Sequence, residues 1–279
     1  MIEIKDVYFK YLNFPTHILE DFSLNISKGE IVGIIGSTGS GKSTICYLFN
    51  GLIPHHFKGS FQGSVIVDGK DATQIPVEQM SETIGYMLQE PSFQIASAYV
   101  ESEIAFGMEN LGVPVEEMEN RITAYLEKLG ISHLRERSTS NLSEGEKQRV
   151  ILASILAMKP DILVLDESTS MIDSTSKKEL IKILKDLKVK EEKTIILIDH
   201  DLDFISKLVD RVILVNHGKI MANGLPTEVL TDVELLKRNG LVPPTLTSLF
   251  HEFKVNAFPL DKIPTTYDEA TKILTSWLK

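Results

Sequence analysis

The stretch EIVGIIGSTGSGKST, residues 30–44, restricts the possible folds more than any other part of the chain. EIVGIIG is nearly continuous in apolar residues, which suits a strand buried on both faces. GSTGSGKST matches G-x-x-x-x-G-K-[ST], and ICYLFNGL then reads as a helix, so the match has the strand, loop and helix setting it requires. Glycines in such a loop let successive backbone N–H groups curve around phosphate oxygens. Gly36, Ser37, Thr38, Gly39, Ser40, Gly41, Lys42, Ser43 and Thr44 are therefore candidate nucleotide contacts. Lys42 supplies a point charge to the β- and γ-phosphates, and the Ser43 hydroxyl is a ligand for Mg2+. A glycine-rich turn without a ligand is the alternative.

Two more apolar runs, DILVLDE at 161–167 and TIILIDH at 194–200, each follow a segment of helix length. Strand, helix and strand at that spacing predict a parallel sheet with crossover helices. Open sheets of this kind bind ligands at the carboxyl ends of their strands. Asp166 lies at such an end and is placed to hold the Mg2+ shell. Glu167, on the opposite side of the strand axis, is then free to orient and deprotonate an attacking water. His200 ends the third run, on the same edge as Lys42 and Glu167 if the strands are parallel. It either reaches the γ-phosphate or the water, or is a surface or core histidine without a catalytic role.

Around these runs the pattern changes. IEIKDVYF and ILEDFSLNIS alternate in strand fashion, and RVILVNHGKIMANG reads as a hairpin turning at 216–219. Apolar residues recur at helical spacing within about 93–141, which predicts a helical subdomain inserted in an α/β core. Beyond about residue 225, prolines separate short helices. The last, TYDEATKILTSWLK, has Thr266 and Glu269 at capping-box spacing and aligns Ala270, Ile273, Leu274 and Trp277 on one face. NLSEGEKQRV at 141–150 opens another helix, with Ser143 and Glu146 at the same spacing. Any helix start is also an anion site, so this one either only caps a helix or faces a phosphate.

A formal net charge of −10 argues against a nucleic-acid partner. The single cysteine, Cys46, excludes an internal disulfide and a cysteine-clustered zinc site. No stretch approaches the roughly 18 apolar residues of a bilayer span, and MIEIKDVYFK lacks the apolar core of a signal peptide, so a cytoplasmic location is expected.

Taken in order, these segments resemble an ABC-type ATPase over roughly residues 1–225. GSTGSGKST matches its Walker A motif, Gln89 in MLQEP the Q-loop, and LSEGE at 142–146 the LSGGQ-like signature. LVLDE matches Walker B, SMID at 170–173 the D-loop, and IDHD around His200 the H-loop. The Asn-Lys-x-Asp guanine reader of a GTPase is missing. Three further stretches, LFNGLIPHHFKGSFQGSVIVDGKD, LQEPSFQIASAYVESEIAFGMENLGVP and a C-terminal NGLVPP, resemble ATPases of energy-coupling factor (ECF) transporters and of cobalt and nickel importers. STSMID resembles one of the two paralogous ATPases in ECF systems.

The resemblance implies an α/β fold: a P-loop NTPase core with a mostly parallel sheet, an N-terminal antiparallel β-subdomain, an inserted helical subdomain and a small C-terminal helical extension at 226–279. It implies ATP and Mg2+ as cofactors, Tyr11 stacked on adenine, Gln89 in the metal shell and near the attacking water, and Asp173 communicating across a dimer. Tyr11 as an ordinary strand aromatic and Gln89 as a plain loop glutamine are the alternatives. Two ATPase subunits, a paralogous heterodimer by preference or a homodimer, would close head to tail over two nucleotides, with Ser143, Gly145 and Glu146 toward the partner's ATP. A groove beside Gln89 would grip a transmembrane coupling subunit, and a separate substrate-binding membrane subunit would choose the vitamin or metal ion. The chain would sit peripherally on the cytoplasmic face of the membrane. A soluble ABC switch without a transport role is the rival function, and a subunit that binds ATP without hydrolysing it is a third.

Two finer expectations follow. The extension either packs on its own catalytic domain or joins the two ATPases, and the Trp277 face, which needs cover, favours joining. Glu144 replaces the first glycine of the usual signature and Glu146 its glutamine. A carboxylate beside the phosphates costs about 1 kcal/mol unless Glu144 points to solvent or pairs with Lys147 or Arg149, and the site using this signature is therefore expected to hydrolyse more slowly than its twin in a heterodimer.

Overall fold

The structure is a computed structural model describing residues 1–167, 173–260 and 262–277. Its strands are β1 (Ile2–Tyr11), β2 (Leu19–Ile26), β3 (Ile31–Ile35), β4 (Gly59–Val67), β5 (Lys70–Asp71), β6 (Ile84–Met87), β7 (Ile162–Asp166), β8 (Thr194–Ile198), β9 (Arg211–Asn216) and β10 (Lys219–Gly224). Six of them form one sheet in the order β10-β9-β3-β8-β7-β6, and four form a second in the order β2-β1-β4-β5. The larger sheet is parallel except for β10, the hairpin partner of β9. The smaller is antiparallel throughout. The α/β class and the two kinds of sheet are those expected.

Every residue of β3, β7 and β8 is buried, because both faces of these strands are covered. Alternate residues feed two cores. Ile34, Val164 and Ile196 pack with Phe9, Phe22 and Phe49 on the side of the antiparallel sheet. Ile35, Leu165 and Leu197 pack with Ile104, Val150 and Leu184 on the helical side. Each such side chain contributes about 1.5–3 kcal/mol relative to exposure, which makes this sheet the rigid part of the molecule.

Parallel register then places the site. Ile34 and Asp166 both pair with Ile198, and Met87 pairs with Leu165. The chain therefore leaves β3, β8, β7 and β6 along one edge, toward Gly36, His200, Glu167 and Gln89. None of β4, β5 and β6 is among the strands read from the sequence, and in β6 the four residues IGYM are too few to show alternation. Helices Val100–Asn110 and Val115–Lys128 occupy the inserted segment, and Glu144–Ala157 follows it.

After β10 come helices Pro226–Val229, Val233–Arg238, Thr245–Val255 and Tyr267–Trp277. Trp277 finds its cover within this extension. Its ring lies 5.2 Å from that of Phe253 and 5.3 Å from that of Phe258, and its indole N–H donates to the Pro259 carbonyl at 3.1 Å. The Trp277 stripe therefore gives no independent reason to invoke a second subunit. At the capping box Glu269 N–H donates to Thr266 Oγ1, and the Glu269 carboxylate accepts from Thr265 N–H at 3.0 Å. Among the described residues no helix is long and apolar enough to cross a membrane.

Candidate nucleotide site

The glycine-rich loop starts where β3 ends. A Cβ on Gly36 would lie 2.2 Å from the Val215 carbonyl oxygen, so the position admits only glycine. Gly41, at φ 107°, makes the left-handed entry into helix Lys42–Phe49. Lys42 is buried and donates from Nζ to the carbonyls of Gly36 at 2.8 Å and Ser37 at 3.0 Å, so the loop closes on its own cation. Burial holds the Lys42 ammonium below its ordinary pKa, while the Glu167 and Asp166 carboxylates pull it back. Among the described residues Ser40 Oγ is the buried side-chain polar atom left without a hydrogen bond. A phosphate oxygen would relieve that cost. Tyr11 forms a half-buried wall beside the loop: its hydroxyl is 3.0 Å from Thr44 Oγ1, and its ring meets Phe9 edge-on at 4.8 Å.

Across the strand edge, Glu167 adopts φ 48° and leaves the line of β7. Its Oε1 lies 2.7 Å from His200 Nε2, and its Oε2 accepts from Gln89 Nε2 at 2.5 Å. The ends of β6, β7 and β8 thus meet on one carboxylate. A carboxylate held in this way can take a proton from a water at the γ-phosphate. Asp166 is buried, which raises its pKa; the Tyr86 hydroxyl, which donates to Oδ2 at 2.7 Å, and the Lys42 charge oppose that rise. The Ser43 hydroxyl, the Asp166 carboxylate and the Gln89 amide oxygen are hard oxygen donors, which suits Mg2+. No denser cage of three or more His, Cys, Asp or Glu side chains occurs among the described residues. An ion that keeps waters and phosphate oxygens as ligands requires none.

The sequence profile of the ABC transporter family matches residues 19–170, just over half of the chain. The chain belongs to that family. A putative ABC transporter ATP-binding protein from Pyrococcus abyssi is 43% identical, over 91% of this chain and 91% of its own length. The energy-coupling factor transporter ATP-binding protein EcfA1 of Lactococcus lactis is 36% identical, over 100% of this chain and 99% of its own. CbiO1 from Clostridium perfringens, described as part of the ABC transporter complex cbiONQ, has a TM-score of 0.76 at 32% identity, covering 90% of this chain and 98% of that one.

The signature segment of this ABC chain is a complete capping box. Ser143 Oγ accepts from Glu146 N–H at 3.4 Å, and the Glu146 carboxylate accepts from Ser143 N–H at 2.7 Å. Gly145, next to the exposed Ser143, is half-buried. Glu144 pairs with Lys147 Nζ at 2.7 Å and accepts from Ser92 Oγ at 2.6 Å, and both bonds hold its pKa below the usual carboxylate range. The Glu144 side chain is also exposed, so both conditions for absorbing its charge are met. Arg149, the other proposed partner, goes instead to Ser176 and Glu179. Asp173 caps helix Ser174–Glu191, accepting from Thr175 N–H at 2.8 Å and Ser176 Oγ at 2.7 Å. The other residues of the D-loop match, 170–172, lie outside the described residues.

Three contacts escape the sequence motifs. Tyr86 bonds Asp166, Ser92 bonds Glu144, and Gln94 braces the end of β6 by donating to the Tyr86 carbonyl at 3.0 Å while accepting from Leu88 N–H at 2.7 Å. None of the three leaves a local sequence signal, because each depends on which segments the fold brings together.

Proposed function

We propose that this chain is the ATP-hydrolysing motor of an energy-coupling factor importer for a vitamin or a transition-metal ion. It works as half of an ATPase pair, a paralogous heterodimer by preference, on the cytoplasmic face of the membrane. The observation that carries the reading is the Glu167 carboxylate held between His200 and Gln89 at the parallel strand ends that also present Asp166 and the Lys42 loop. The names of EcfA1 and of CbiO1 within cbiONQ support the transporter subtype.

In this reading the loop from Gly36 to Thr44 wraps the phosphates, and Lys42 exchanges the Gly36 and Ser37 carbonyls for phosphate oxygens. Ser43, Asp166 and Gln89 would hold Mg2+, which would supply neutralising charge beside the phosphates. Glu167 accepts the proton of the attacking water, and His200 fixes both that carboxylate and the γ-phosphate. Tyr11 flanks the adenine. Ser143, Gly145 and Glu146 face the second subunit's ATP, and Asp173 lies between the two sites. Residues 1–225, with the insert at about 93–141, form the ATPase domain. The extension at 226–279 joins the pair, for which the exposed Leu249, Val255 and Phe258 offer apolar surface.

Detergent extraction of the tagged chain from its native membranes tests the reading. The expected complex contains a second ATPase and two integral membrane proteins. A soluble complex on DNA or ribosomes, with no integral membrane partner, would instead establish the soluble ABC switch.

A further inference from the structure

Tyr86 belongs to none of the nucleotide motifs, yet its hydroxyl is the hydrogen-bond partner of the Asp166 carboxylate among the described residues, at 2.7 Å. Register explains the contact. Tyr86 pairs with Val164 across the parallel ladder of β6 and β7, and Asp166 lies two residues further along the same face. Such diagonal neighbours are about 7–8 Å apart between Cα atoms, a gap that a long aromatic side chain spans and a short one does not. The ring also packs against the core cluster that contains Val164, its partner across the ladder. Gln94 pins the backbone on which it stands, through the Tyr86 carbonyl and the Leu88 N–H. Position, ring and backbone are each fixed before any ligand arrives.

We propose that Tyr86 is a positioning residue for the metal: its hydroxyl fixes the rotamer of Asp166 by engaging Oδ2, and keeps Oδ1 available to a divalent cation beside Ser43. The proposal rests on the reading of Asp166 as a metal carboxylate. Partners one shell out orient metal ligands in this way, and their removal weakens metal binding without altering the ligand set. The hydroxyl gains as well, since a buried donor without an acceptor is costly.

Mn2+ binding to the full-length, ATP-loaded chain, followed by electron paramagnetic resonance in a Glu167→Gln background, provides the test. Tyr86→Phe keeps the ring and removes only the hydroxyl. The expected result is a Kd for Mn2+ raised about tenfold, the lower end for such partners, with metal-free ATP affinity unchanged. Tyr86→Met, also without a hydroxyl, should give the same shift and serves if the phenylalanine variant folds poorly. In an Asp166→Asn background the further loss of the hydroxyl should have no effect, because the coupling runs through that carboxylate. A Kd within about twofold of the parent, or an equal shift in both backgrounds, overturns the role of Tyr86. If Asp166→Asn itself leaves Mn2+ binding unchanged, the metal assignment of the proposed function fails instead.

Discussion

The glycine-rich loop and the signature helix are both proposed phosphate sites, but only the loop has buried and paired carboxylates, a histidine and a glutamine gathered beside it. At the loop, parallel strand ends gather Lys42, Asp166, Glu167, His200 and Gln89 from across the sequence, with Glu167 bonded to His200 and to Gln89, 78 residues away, and Asp166 bonded to Tyr86, 80 residues away. At the signature helix, Ser143 and Glu146 satisfy each other, and Glu144 turns to Ser92 and Lys147. Among the described residues no side chain from the loop site is hydrogen-bonded to that group. In the proposed reading one chain carries the catalytic edge and, separately, a capped helix start that faces a second subunit's phosphate. Two copies, or two paralogues, placed head to tail would supply each with what it lacks.

The largest expected effect tests the catalytic side of this contrast. Glu167→Gln removes the base and leaves its size, so phosphate release should fall at least about 100-fold while ATP still binds. Turnover within about threefold of the parent would move the base elsewhere and undo the assignment of this edge. The smallest effect tests the signature side. Since Lys147 and Ser92 already hold the Glu144 carboxylate, Glu144→Gly should change the steady-state ATPase rate of the assembled pair by no more than about threefold. A tenfold gain would show that the carboxylate does obstruct the partner's phosphates, as the sequence alone suggests.

What could be read in the sequence depended on how local each signal was. Walker A, LVLDE and His200 each announce themselves within one apolar run and the residues at its end, so the parallel sheet and the placing of these residues on one edge of it were legible. Ser143 and Glu146 were legible for the same reason, because a capping box spans only one helical turn. The bond between Tyr86 and Asp166 depends on the register of two strands, and β6 is too short to display a period. The fate of Glu144 depended on whether Lys147 or Arg149 would take it, and tertiary contacts with Ser176 and Glu179 drew Arg149 away. Trp277 was read correctly as part of a face needing cover. That the cover is Phe250, Phe253 and Phe258 follows only from how the last two helices pack.

Crosslinking tests the sharing of sites between two subunits most directly. Ser143→Cys in this chain, combined with Glu167→Gln to retain ATP, is paired with a cysteine in the Walker A loop of the second ATPase subunit. The account predicts a disulfide between the two subunits that forms with ATP and not without it. A crosslink that forms equally well without nucleotide, or none at all when ATP is bound, would contradict it.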